Sequence, residues 1–159
     1  MKNEYDIKLY QRPNAEPANI EVVQGIYNIA KNLTSKWFTA NVPDDTIRDL
    51  QFHDVFCLQR DKKILSFLIF TSRDGFLDIS LFATRQEFQG QGLGSKLIEC
   101  FFNHAQNLGF KTVSVMTVPP DVKPAYGPTL RFYEKHGFKI EKRSNALWES
   151  GALLLFKNL

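Results

Sequence analysis

Gln89-Gly90-Gln91-Gly92-Leu93-Gly94-Ser95 is the stretch whose residue types and spacing point first to chemistry. Three glycines at alternate positions leave backbone N–H groups uncovered by side chains. A helix that starts here adds unsatisfied N–H groups and a partial positive charge. The chemistry on offer is capture of an anion, a phosphate or a pyrophosphate.

Such a loop needs a strand before it and a helix after it, and the flanking sequence predicts both. Phe76 to Thr84 alternates as a strand, and Gly92 to Leu108 reads as a helix burying Leu93, Leu97, Phe101, Ala105 and Leu108. Upstream, Tyr5 to Tyr10 reads as a strand. Glu16 to Leu33 reads as a helix, with Ile20, Val23, Ile26, Tyr27 and Ala30 on its apolar stripe. Pro43 to Leu50 opens with Pro-Asp-Asp, which suits a helix start. Asp54 to Gln59 and Ile64 to Ser72 form a hairpin, followed by a turn at Arg73-Asp74-Gly75. Downstream come a strand over Lys111 to Val118, a short helix over Tyr126 to His136, and strands over Phe138 to Arg143 and Ala152 to Lys157. This order predicts an α/β fold, a mixed sheet with helices on its faces.

The 159 residues suit a single domain over 1–159, and 43% hydrophobic content supplies a core. The 20 basic and 17 acidic residues leave a net charge of +3, and no Lys/Arg run resembles a nucleic-acid arm. No nucleic-acid or membrane partner is therefore expected. No apolar stretch reaches the roughly 18–20 residues of a membrane span. Met1-Lys2-Asn3-Glu4-Tyr5-Asp6 lacks a signal-peptide core, so a cytoplasmic location is expected. Cys57 and Cys100 have no metal or disulfide spacing and read as buried free thiols.

Three phosphate-loop patterns compete for the glycine stretch. A dinucleotide fingerprint fails at its third glycine, where Ser95 stands. A Walker loop fails because Gly94-Ser95-Lys96 lacks the required Gly-Lys-Ser/Thr order. The third pattern, Gln/Arg-x-x-Gly-x-Gly/Ala, is met by Gln89, Gly92 and Gly94. It resembles the pyrophosphate loop of the GNAT N-acetyltransferases. Downstream, Phe132-Tyr133-Glu134-Lys135-His136-Gly137-Phe138 resembles a second hallmark of that family, a short helix ending Phe-Tyr-Glu-Lys-x-Gly-Phe. The resemblance runs from Leu65 to Phe138, roughly half the chain.

The resemblance implies the acyl-CoA N-acyltransferase fold, a mostly antiparallel sheet of about seven strands flanked by about four helices. It also implies acetyl transfer from acetyl-CoA to a primary amine, by direct attack in a ternary complex and without a metal. Gln89, Gly90, Gln91, Gly92, Leu93, Gly94 and Ser95 would then hold the pyrophosphate. Backbone groups of Phe82, Ala83 and Thr84 would hold the pantetheine arm on a strand that splays from its neighbour.

Tyr133 would donate a proton to the departing thiolate. A phenol with a pKa near ~10 is still protonated at neutral pH, and a thiol of about 8.5 leaves more easily when protonated. The alternative is an aromatic core residue; Phe132 suits the core face, which turns Tyr133 elsewhere. The family often has Asn seven residues before that tyrosine, where this chain has Tyr126. Tyr126 is a cofactor or substrate contact, or a brace for the loop.

An amine also needs a base. Alternation puts Phe76, Asp78, Ser80 and Phe82 on the non-core face of their strand, making Asp78 the best-placed carboxylate, with Ser80 beside it. A solvated carboxylate is the alternative. Glu87, His53 and His136 are lesser candidates, and His104 reads as surface. Trp37 and Phe38 wall the acceptor pocket or cap the core, and Trp148 is similar. The acceptor is a small-molecule or peptide amine whose identity the sequence does not give; a homodimer is left open. The rival function is a non-catalytic acyl-CoA sensor.

Overall fold

The computed structural model describes residues 4–159; the N-terminal reading at Met1 to Asn3 lies outside the described residues. The elements run β1 (Asp6–Tyr10), α1 (Ile20–Asn32), α2 (Val42–Asp49), β2 (Asp54–Arg60), β3 (Lys63–Arg73), β4 (Phe76–Thr84), α3 (Leu93–Asn107), β5 (Thr112–Thr117), α4 (Gly127–Lys135), β6 (Lys139–Ser144) and β7 (Ala152–Asn158). The seven strands form one mixed sheet in the order β1-β2-β3-β4-β5-β7-β6. The β4–β5 pair is parallel, as a strand–helix–strand crossover requires.

The chain divides into two compact units. The first comprises Met1–Thr71 and Leu81–Phe101, the second Ser72–Ser80 and Phe102–Leu159.

In the first unit, β1, β2 and β3 form an antiparallel meander. The β2–β3 turn uses Asp61 and Lys62 in the left-handed region, at φ 53° and 65°. Asn19 caps α1, its side chain accepting from the Val22 N–H at 3.2 Å. The helix therefore starts at Ile20 rather than Glu16. Its buried stripe is Val22, Val23, Ile26, Ile29 and Ala30. Ile20, expected on that stripe, lies in the first turn and is 75% exposed. Val55, Cys57, Phe67, Ile69 and Ala83 complete this core.

In the second unit, Val113, Val115, Leu153 and Leu155 are buried across β5 and β7. Phe138 packs on Phe102 and Tyr133, with ring centroids 5.9 and 5.5 Å apart. Leu108, expected in the core, lies beyond the last residue of α3 and is 58% exposed. Gly109 and Gly137, at φ 90° and 95°, follow α3 and α4 in the left-handed conformation that ends a helix.

Candidate functional site

The glycine loop belongs to the first unit. Gly90 and Gly92 have φ of 77° and 81°, and a side chain built on either would meet nothing within 4 Å. Glycine is needed here for the left-handed backbone, and the space above it is open. Lys96 makes the first helical bond, donating to the Gly92 carbonyl at 3.2 Å. Helix α3 thus starts with Leu93, Gly94 and Ser95 in its N-terminal turn, where N–H groups have no carbonyl of their own helix to bond. No acidic residue occupies that turn. Open glycines, a first turn without acidic residues and the positive end of the helix dipole fit a pyrophosphate. Gln89, Gly90, Gln91 and Gly92 are exposed, Gly94 and Ser95 half-buried, and the Leu93 side chain is buried.

The strand leading into the loop is pinned by polar contacts. Ser66 Oγ donates to the Ala83 carbonyl at 3.0 Å and lies 2.8 Å from Thr84 Oγ1. Gln89 Nε2 donates to the Thr84 carbonyl at 3.2 Å, closing the loop back on the strand. Arg85 donates its N–H to the Leu65 carbonyl and its Nε–H to the Ile64 carbonyl, both at 2.8 Å. Phe82 is half-buried.

Asp78, Tyr126 and Tyr133 belong to the second unit. Asp78 is 7% exposed, so it is not the solvated carboxylate weighed as the alternative. It is the register partner of Ser114, whose Oγ donates to Asp78 Oδ1 at 2.7 Å. The Arg73 guanidinium lies 3.9 Å from Asp78 Oδ2. Ser80 is exposed on the same strand.

Tyr133 is 5% exposed, whereas Phe132 is half-buried with its ring 4.6 Å from His136. This reverses the expectation that Phe132 would take the core position. Burial raises the Tyr133 phenol well above its ordinary pKa, and Tyr126 and the Asp78 carboxylate push in the same direction. Tyr126, half-buried before α4, is pushed up to about 12 by burial. Tyr126 and Asp78 thus both lie close enough to Tyr133 to act on its phenol.

The remaining candidates have other surroundings. Trp37 and Phe38 are half-buried and pack against the α1 core. Trp148 is exposed. His53 is half-buried with its Nδ1 lacking a hydrogen-bond partner. Glu87 is exposed, and His104 is half-buried rather than a surface residue. Cys57 and Cys100 are free thiols, the first buried and the second half-buried. Among the described residues no group of three or more His, Cys, Asp or Glu is arranged to hold a metal, and no helix is long and apolar enough to cross a membrane.

Sequence reasoning passed over Ser66, Ser114 and Thr117. Each is a buried hydroxyl residue on a strand with apolar neighbours in sequence, which was the available signal. Thr117 Oγ1 has no hydrogen-bond partner.

The family described as "Acetyltransferase (GNAT) domain" matches residues 51–140. No curated protein matches the chain in sequence. Solved structures share its fold. A GNAT-family protein of Desulfovibrio desulfuricans is 17% identical at a TM-score of 0.76, with 98% of each chain covered. The ribosomal-protein-S18-alanine N-acetyltransferase of Escherichia coli is 15% identical at 0.76, covering 98% of this chain and 94% of that one. A GNAT family acetyltransferase of Elizabethkingia anophelis, solved with acetyl-CoA bound, is 19% identical at 0.71, covering 99% and 100%.

Proposed function

Because the chain belongs to the GNAT acetyltransferase family, we propose that it moves an acetyl group from acetyl-CoA to a primary amine by direct attack in a ternary complex. It is an acyltransferase by that membership; the acetyl donor, the amine and the order of events are the proposal. The acetyl-CoA held by the Elizabethkingia anophelis structure supports the choice of donor. Residues 1–159 are read as one catalytic domain working in a reducing cytoplasm, where Cys57 and Cys100 remain thiols.

In this reading the backbone N–H groups from Gln91 to Ser95 bind the pyrophosphate, and Gln89 fixes the loop by its bond to Thr84. Strand groups at Phe82, Ala83 and Thr84 orient the acyl arm, and Tyr126 is a further cofactor contact. Asp78 takes a proton from the attacking ammonium, directly or through a water, with Ser114 holding one carboxylate oxygen. Tyr133 Oη then gives its proton to the departing sulfur. Ser80 contacts the acceptor, and Trp37 and Phe38 stiffen the segment between α1 and α2 against the core. The route uses no metal.

The observation that carries the proposal is a pair of buried polar groups, the Asp78 carboxylate held by Ser114 at 2.7 Å and the Tyr133 phenol of α4. Amine acetylation calls for one group that takes a proton from the amine and one that gives a proton to the thiolate. Free-thiol release from acetyl-CoA in the presence of an amine panel tests it. Release that depends on an amine supports transfer. Coenzyme A binding without release would instead identify a sensor.

A further inference from the structure

The sheet face that carries Asp78 sets that carboxylate, Ser80 and Ser114 among apolar side chains. Asp78, Ser114 and Phe156 are successive register partners across β4, β5 and β7, so their side chains share one face. Met116 and Leu154 form the next row. Phe76, two residues before Asp78, meets Phe156 edge to face at 5.4 Å. The opposite face, with Val113, Val115 and Leu155, is buried. On the Asp78 face, Phe76, Met116, Leu154 and Phe156 are only half-buried. Four apolar side chains therefore stay partly wet around one sunken carboxylate.

Three cationic side chains, Arg73, Lys139 and Lys142, stand beside this surface, with the exposed Asp74 and Glu141 next to them in sequence. Arg73 stands 3.9 Å from Asp78, with more than half of its side chain exposed. Lys139 and Lys142, the register partners of Phe156 and Leu154, are exposed at the β6 edge. A single carboxylate can pair with one incoming ammonium, while a second positive charge would face Arg73 or the two lysines. Like charges that close are unfavourable, whereas an apolar body on the half-wet side chains gains by leaving water.

We infer that the acceptor is a primary amine on an apolar, ring- or alkyl-bearing body, with the amine as its only positive charge. This rests on the acetyl-transfer reading and narrows it to a substrate class. Phe156 and Leu154 set the specificity, and Asp78 receives the ammonium end.

The test is kcat/KM for 2-phenylethylamine, hexylamine and spermidine with the wild-type chain. The two apolar amines should exceed spermidine by about tenfold or more, as one extra contact or clash in a pocket is worth roughly 10–200-fold. Phe156→Ala should lower kcat/KM for 2-phenylethylamine by about tenfold through KM, with coenzyme A affinity unchanged. Thiol release favouring spermidine would overturn the inference and leave acetyl transfer intact. No release with any amine would sink acetyl transfer. Calorimetry of 2-phenylethylamine would then judge the surface alone: saturable binding lost in Phe156→Ala supports it, and no binding overturns it.

Discussion

Ser114 Oγ donates a 2.7 Å hydrogen bond to Asp78 Oδ1 between directly paired residues of the parallel strands β5 and β4. The bond fixes a carboxylate that is almost wholly buried, with its second oxygen 3.9 Å from the Arg73 guanidinium. Hydrogen bonds to charged groups stabilise more than neutral ones, by roughly 1.5–3 kcal/mol.

Ser114→Ala is therefore expected to lower stability by about 1–3 kcal/mol, because it leaves a buried carboxylate oxygen without its donor. It should also lower kcat more than it raises KM for coenzyme A. Denaturant melts and steady-state kinetics check both. Wild-type stability together with wild-type kcat would remove Ser114 as the positioning residue.

Tyr133→Phe keeps the ring against Phe138 and deletes only the hydroxyl. If the phenol is the proton donor, turnover should fall by about 10²-fold, within the range for general acids. Coenzyme A affinity measured by calorimetry should stay near wild type. Equal turnover in the variant would mean that Tyr133 is a packing residue.

Gly92→Val tests the loop. The site is open, so the cost comes from the left-handed backbone, about 1–2 kcal/mol for a residue with a Cβ. The turn would relax to another conformation and misdirect the N–H groups of the first turn of α3. Coenzyme A binding should be lost while the melting temperature falls only modestly. Retained affinity would place the pyrophosphate elsewhere.

Alkaline pH should destabilise the fold. Burial raises the Cys57 thiol and the Tyr133 phenol, and it pushes Tyr126 up to about 12. The unfolded chain releases these protons from about pH 8.5 for the thiol and about 10 for the phenols. Above those values the folded state binds more protons than the unfolded one, so stability falls as pH rises. The contribution is intact below about pH 8.5. Melting temperatures across the alkaline range should slope downward, and Tyr126→Phe should flatten the upper part of that slope.

Thr117→Val should be neutral or stabilising by about 1 kcal/mol. It exchanges a buried hydroxyl without a partner for a methyl of similar shape. A chemical melt decides it; a large loss would reveal a hydrogen bond that Thr117 makes in solution.

The sequence made the fold legible wherever punctuation was local. Asp61-Lys62, Asp74-Gly75, Gly109 and Gly137 mark turns and helix ends that the backbone angles confirm. Strand β4 falls on the predicted residues, Phe76 to Thr84. Burial was less legible because it depends on tertiary partners. Ile20 and Leu108 fit an apolar stripe by spacing, yet each sits at or beyond a helix end, outside the packed turns. Phe132 and Tyr133 are adjacent and both aromatic, so composition alone could not assign the inner position. The parallel pairing that sets Ser114 against Asp78 joins residues 36 positions apart and left no local mark.

In each turnover one acetyl group should pass from acetyl-CoA to an amine. Incubating the chain with acetyl-CoA and 2-phenylethylamine, then weighing the amine by mass spectrometry, tests it most directly. The amine should gain a single acetyl group, equimolar with released thiol, and the gain should fall strongly in Tyr133→Phe. Unmodified amine across the whole panel, with coenzyme A bound normally, would contradict it.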